Sequence, residues 1–180
     1  MPHQVIEPPA AAEFNPHYAT YIDPVVRENV LESLERQAGS TAQFLGGISE
    51  TRAAFRYAAG KWSIKEVVGH VTDAEQIFAY RALRIARGDP TPLAGFDENA
   101  YVAAAGFDHR SLTQLAGDLA STRAATIRLF GGLTAEELAR SGTANGQPIS
   151  VRALAFIILG HERHHVNVLK SRYLGTRVGA

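Results

Sequence analysis

The chain of 180 residues contains no cysteine. That absence excludes disulfides, thiolate metal ligands and a cysteine nucleophile, so any thiol chemistry must draw its thiol from a separate molecule. Net charge is missing too: 18 basic residues oppose 18 acidic ones. A neutral chain lacks the broad positive field that binding a phosphate backbone requires, and nucleic acid is not an expected partner. No stretch approaches the ~18 uninterrupted apolar residues of a membrane span. The opening residues, Met1 to Pro9, show no basic run followed by an apolar stretch. No export signal is expected there, and the expected setting is cytoplasmic, away from a membrane. Strand signals are also scarce, because no segment of useful length alternates apolar and polar residues.

What is present is the balance of a globular domain, with 46% hydrophobic and 20% charged residues. Five of the eight prolines fall within the first 24 residues. Proline restricts itself and its predecessor, so residues 1–24 read as an extended arm, pinned by Phe14, Tyr18, Tyr21 and Ile22. Beyond it, Val26, Val30, Leu34, Ala38 and Leu45 recur at helical spacing and predict a helix from about Val25 to Leu45. Ser63 with Glu66 forms a capping box, and Trp62 with Val67 a hydrophobic staple. They open a second helix that Gly88-Asp89-Pro90 ends. A linker from Gly88 to about Phe107 follows, with one helical turn near Glu98 to Ala104. Ser111 with Gln114 opens a third helix to about Phe130. A short helix starts at Thr134, Gly142 to Pro148 reads as a loop, and Ser150 caps a last helix reaching about Leu174. Four long helices with mostly short connections predict an all-α four-helix bundle over residues 25–174, with 175–180 as a tail.

Of seven histidines, His3, His17 and His109 fall in the arm or a linker and read as solvated groups. The last helix carries His161-Glu162-Arg163-His164-His165. Residues four apart on a helix lie on one face, and histidines so spaced can grip a single ion. Stepping about 100° per residue puts His165 near the centre of the stripe made by Leu154, Ile158 and Leu169. His161 falls beside it, and His164 points off to one side. The inward pair can be metal ligands or hydrogen-bonded core residues; burying two imidazoles without partners would cost ~1–3 kcal/mol apiece. His70 lies on the edge of the second helix's apolar stripe, from which it can join that pair across the bundle. Three imidazoles would match the ligand number of catalytic zinc sites, which leave one position to water or substrate.

Two carboxylates fall near these histidines. Glu75 and Glu162 can orient an imidazole or act as a base, or they can simply pair with Arg81 or Arg163. Asp73 points more outward. Trp62 reads as a staple rather than a substrate platform. In the linker, Phe96 and Tyr101 can wall one side of a pocket.

The segments Lys61-Trp62-Ser63-Ile64-Lys65-Glu66-Val67-Val68-Gly69-His70 and Leu159-Gly160-His161-Glu162-Arg163-His164-His165 resemble the DinB-like, or YfiT-type, superfamily of metal-binding four-helix bundles. The resemblance covers about residues 25–174. It implies one nickel or zinc ion on His70, His161 and His165, and a homodimer in many members. Some relatives are transferases or isomerases that use a low-molecular-weight thiol; many are assigned only as metal-dependent hydrolases. Members often carry glutamine three residues after the final ligand, where this chain has Val168. The expected function is a metal-dependent enzyme acting on a small molecule, either a hydrolase or a thiol S-transferase. A non-catalytic metal-binding module for stress response or ligand sensing is the alternative. A third is a dimerising bundle whose histidines form only a polar core.

Overall fold

Each of the four long helices begins at a residue whose side chain accepts a backbone N–H from the first turn. In the computed structural model, which describes residues 5–175, Asn29 opens α1 (Val30–Gly46) and Ser63 opens α2 (Ile64–Ala86). Ser111 opens α3 (Leu112–Gly131) and Ser150 opens α4 (Val151–Val168). The boxes read from Ser63 with Glu66 and Ser111 with Gln114 are both closed, the returning side chains accepting from the cap N–H at 2.7 and 3.0 Å. Each box satisfies two backbone donors that a helix start otherwise leaves free.

The sequence-based boundaries need three corrections. The first helix starts at Val30 rather than near Val25, because Asp23–Val25 forms a 3-10 turn containing Pro24 and Asn29 supplies a better cap. Residues 142–148 are not an open loop. Ser141–Ala144 (β1) and Gln147–Ser150 (β2) pair as an antiparallel hairpin. Asn145 and Gly146 both have positive φ at its tip, the backbone that a two-residue turn demands and Asn-Gly supplies. The last helix ends near Leu174 as expected, its final stretch, Leu169–Tyr173, being a π-type turn that brings the Tyr173 hydroxyl to donate to the Trp62 carbonyl at 2.8 Å. The connections are longer than expected, since residues 47–63, 87–111 and 132–150 all lie between the long helices.

The length of those connections follows from the packing order. Helix α2 packs chiefly on α3 and α4, and α1 also packs on α3 and α4. Helices α1 and α2, and likewise α3 and α4, therefore sit diagonally, so residues 47–63 and 132–150 must cross the bundle end, whereas 87–111 joins the neighbours α2 and α3. The N-terminal segment is pinned to the body at Phe14, Tyr18, Tyr21 and Ile22, the residues read for that role, and it reaches deeper than an extended arm would. Ile6, Phe14, Ile22 and Val25 are all buried in the main core, and a short helix, Ala19–Ile22, lies on α4. Arg152 near the start of α4 donates to Glu13, fastening the segment to the body. His3 and the tail beyond residue 175 lie outside the described residues. Among the described residues, no helix is long and apolar enough to cross a membrane.

The apolar interior is split into two clusters. One holds Val30, Leu34, Phe78, Phe130, Leu154 and Ile158; the other holds Leu45, Val67, Val71, Leu115, Leu119 and Leu169. Along every long helix the break between clusters is filled by buried polar residues. These are Gln37 and Thr41 on α1, His70 and Glu75 on α2, Arg123 on α3, and His161 and Glu162 on α4. Burying so many polar groups is costly unless they satisfy one another. This polar layer is where the candidate site lies.

Candidate metal centre

His70 projects from the second turn of α2 toward His161 and His165, one turn apart on α4. The three ring centroids lie 4.5 to 5.1 Å from one another. Their potential ligand nitrogens all fall within 4.8 Å of each other. The Nε2 atoms of His70 and His161 are 3.2 Å apart, close to the ~3.3 Å that two 2.0–2.1 Å bonds subtend at a tetrahedral ion. The same contact requires one ring to donate and the other to accept, so both cannot carry two protons. His164 is exposed, as its direction on the helix implied, and meets Tyr21 edge-on at 5.5 Å.

Burial sets the charge state of the trio. It lowers the His70 pKa to about 4. Burial first, and then the neighbouring His70 and His164, lowers His165 to about 3. Burial and the other three histidines push His161 well below its ordinary value. Neutral imidazole is the form that binds a metal. For the metal-free protein the linkage has a definite sign. Below pH about 6.5 the unfolded chain takes up protons that the folded rings refuse, so stability is full above that pH and falls as the pH drops toward 4 and 3. Each ring steepens the loss by up to about 1.4 kcal/mol per pH unit. Urea unfolding of metal-free protein at pH 7, 6 and 5 should trace this slope; a flat profile would mean that the rings protonate without unfolding.

Neither carboxylate singled out in the sequence orients an imidazole. Both are taken by Arg123, which is as buried as they are, all three at 2% exposure. Its Nε and Nη2 donate to the two oxygens of Glu75 at 2.8 Å each, and Nη2 also donates to Glu162. Thr41 Oγ1 completes Glu162 with a 2.5 Å bond. The ion-pair reading was thus right in kind and wrong in partner. Arg163 instead pairs with Glu28, and Arg81 donates to the Ala94 carbonyl. Arg123 carried a signal in the sequence that went unused: it stands alone among Leu115, Leu119, Thr126 and Phe130 on the buried face of α3.

The trio opens onto a cavity of about 300 Å³, at the small end of ligand pockets. Trp62 forms part of its wall and lies 4.7 Å from the His70 ring, so it is more than a staple. Phe78 and Tyr21 meet His161 edge-on at 5.9 and 5.3 Å. Burial foremost, then Glu98 and Tyr18, raises the Tyr21 pKa and keeps its phenol a hydrogen-bond donor. Phe96 from the linker lines the cavity as expected, while Tyr101 packs behind it at 5.4 Å. His17, read as a bystander, is exposed at the cavity rim. Val168, standing where relatives often have glutamine, packs against the second apolar cluster. Asp73 is half-buried and its pKa is raised by that burial, and it does not line the cavity.

A diagonal bundle that carries three neutral imidazoles beside an aromatic cavity defines a narrow class of helical protein. The chain belongs to the DinB superfamily, whose family model matches residues 33–169. Among solved structures it is similar to YfiT from Bacillus subtilis, with 17% identity and a TM-score of 0.73. The likeness covers 82% of this chain and 87% of that one. YfiT is described as a probable metal-dependent hydrolase with an unusual four-helix bundle topology. At this identity the likeness is one of fold. No curated protein matches the chain.

Proposed function

We propose that His70, His161 and His165 hold one divalent cation, zinc or nickel, and that the protein is a metal-dependent enzyme acting on a small molecule in the adjoining cavity. The observation that carries this reading is the convergence of the three ligand nitrogens to within 4.8 Å. Three neutral donors leave such an ion its full charge and a position for water or substrate. When bound, the cation supplies Lewis-acid chemistry, polarising an acyl oxygen or lowering the pKa of a water or thiol. The protein's own groups shape the surroundings. Trp62 and Phe78 cover His70 and His161 and exclude water, and the Tyr21 phenol offers a donor at the wall. His17 and Glu98 complete the polar part of the cavity lining.

Hydrolysis is the chemistry suggested by the description of YfiT. A second reading, S-transfer from a low-molecular-weight thiol, is favoured by the capture of Glu75 and Glu162 on Arg123. That capture takes the two buried carboxylates nearest the imidazoles out of play as bases and leaves Glu98, exposed on the cavity lining. Thiol transfer asks less of the protein, because coordination itself favours the thiolate. The trio comes from a single chain, so the homodimer implied by the resemblance is not needed to complete the site.

Elemental analysis tests the reading directly. Purified or reloaded protein is expected to hold about one equivalent of metal, and a triple alanine variant at 70, 161 and 165 less than about a tenth. Equal metal in both would remove the trio as ligands. Metal-loaded protein incubated with an electrophile, with and without a thiol, then separates the chemistries: conjugate that forms only with thiol is transfer. A loaded protein that takes up neither anion nor thiol would be a binding module instead.

A further inference from the structure

The far end of the cavity holds a cation that the metal reading does not use. Arg81 is 3% exposed, yet among the described residues no carboxylate pairs with it. Of its five N–H donors, one is satisfied by a protein acceptor, the Ala94 carbonyl at 2.7 Å. Its guanidinium lies 5.9 Å from the Phe78 ring centroid and 5.7 Å from that of Phe96, and the side chain lines the cavity. Its remaining N–H donors keep contact with the solvent in the cavity, so an anion entering there meets a guanidinium with donors to spare.

A second polar group is delivered to the same end. Asn145, at the hairpin tip, also lines the cavity. Its backbone N–H donates to the Leu93 carbonyl at 2.9 Å. Its side chain packs so closely on Gly95 that a Cβ there would lie 2.4 Å from Oδ1. Arg81 and Asn145 are thus both anchored to the Leu93–Phe96 stretch, which brings a guanidinium and an amide together. Glu98 is the one carboxylate lining the cavity, and it is exposed. Solvent screens its charge in a way that it does not screen Arg81. Phe78 spans the interval, its ring 5.9 Å from the Arg81 guanidinium and 5.9 Å from the His161 ring, and Ala74, Phe96 and Trp62 add further apolar lining. Arg81 is eleven residues beyond His70 on α2, which is about 16 Å of helix rise, and its side chain leans back toward the site.

We propose that Arg81, assisted by the Asn145 amide, recognises the carboxylate of a small organic acid whose apolar body lies along the aromatic wall and whose reacting end faces the three histidines. The inference rests on the reading of this cavity as the substrate site. It makes Arg81 a determinant of specificity rather than a catalytic residue. The planar fork of a guanidinium matches a carboxylate at two points, which a neutral amide of the same shape cannot reproduce.

Trp62 is the only tryptophan and lines the cavity, so its fluorescence reports occupancy. The probes are 3-phenylpropionate and the isosteric 3-phenylpropionamide, titrated into metal-free and zinc-loaded protein. The acid is expected to bind at least tenfold more tightly than the amide in both forms. Arg81→Gln, which keeps an N–H for the Ala94 carbonyl, should weaken the acid about tenfold and leave the amide unchanged; Arg81→Met should do the same. Equal affinity of the two probes for the wild-type protein overturns the proposal, and that comparison needs no variant. So does an acid preference that survives either substitution. A preference present only with zinc and indifferent to Arg81 would place the anion on the metal, also overturning it. A preference lost with Arg81 in metal-free protein stands even if the trio proves not to bind metal.

Discussion

Replacing Arg123 by methionine is expected to destabilise the fold by about 3–5 kcal/mol at neutral pH, the cost of stranding buried charges without their partner. Glu75 and Glu162 would then share a site in which each is 2% exposed, and only Thr41 would still donate to one of them. Two carboxylates in that position cannot both stay ionised, so their pKa values must rise above those of the unfolded chain. The sign follows. The penalty is smallest near pH 4, where both states are protonated, and it grows as the pH rises through 5 to 8, because the unfolded chain ionises while the folded one resists. Urea unfolding of the variant at pH 5 and 8 checks this, and equal losses at the two pH values would contradict it. Combining Arg123→Met with Glu75→Leu and Glu162→Met should recover most of the stability, since an apolar replacement of a buried ion network is often neutral or better. Metal affinity should not recover with it. Glu162 neighbours His161 and Glu75 lies five residues beyond His70, so removing the network is expected to loosen the turns that carry both histidines.

Gly160→Ala is expected to cost about 2 kcal/mol or more, although alanine is the better helix former by about 1 kcal/mol. A Cβ at this position would lie 1.9 Å from the Tyr21 carbonyl oxygen. The obstacle is backbone, so no rotamer change relieves it, and overpacking of a rigid contact costs ~1–3 kcal/mol or more. The short helix Ala19–Ile22 would have to lift from α4, taking the Tyr21 ring away from His161, which it meets at 5.3 Å. The variant should therefore melt earlier and also lose metal affinity. Gly117→Ala is the control. That glycine is exposed within α3, a Cβ there would meet nothing within 4 Å, and its substitution should stabilise by up to about 1 kcal/mol. Thermal melts of the pair with opposite signs would separate the close contact from helix propensity; a stable Gly160→Ala protein would show that the N-terminal segment can detach without cost.

Much of the bundle was legible because its cues are local. Ser63, Ser111 and Ser150 announce helix starts through bonds to residues three positions away, and the direction of His161 and His165 on α4 needs only the helical repeat. The hairpin was missed although Asn145-Gly146 is a strong turn signal. Its flanks, Ser-Gly-Thr-Ala and Gln-Pro-Ile-Ser, lack the apolar alternation that would have marked strands. In the proline-rich segment Phe14 and Ile22 reach the core as read, while the burial of Ile6 and Val25 was missed, because prolines prevent a long helix without preventing single apolar side chains from packing.

The sequence by itself determined the four helices, the caps of the last three and the inward direction of three histidines, since each depends on residues within a turn or two of one another. The family resemblance joined those histidines into one set. Only the tertiary structure decided the diagonal order of the helices, the claim of Arg123 on both Glu75 and Glu162, and the placing of Arg81 and Asn145 on one cavity. Arg123 pairs with groups 39 and 48 residues away, and charges so separated choose partners by which helix faces which. No local pattern encodes that choice, because it is made by packing.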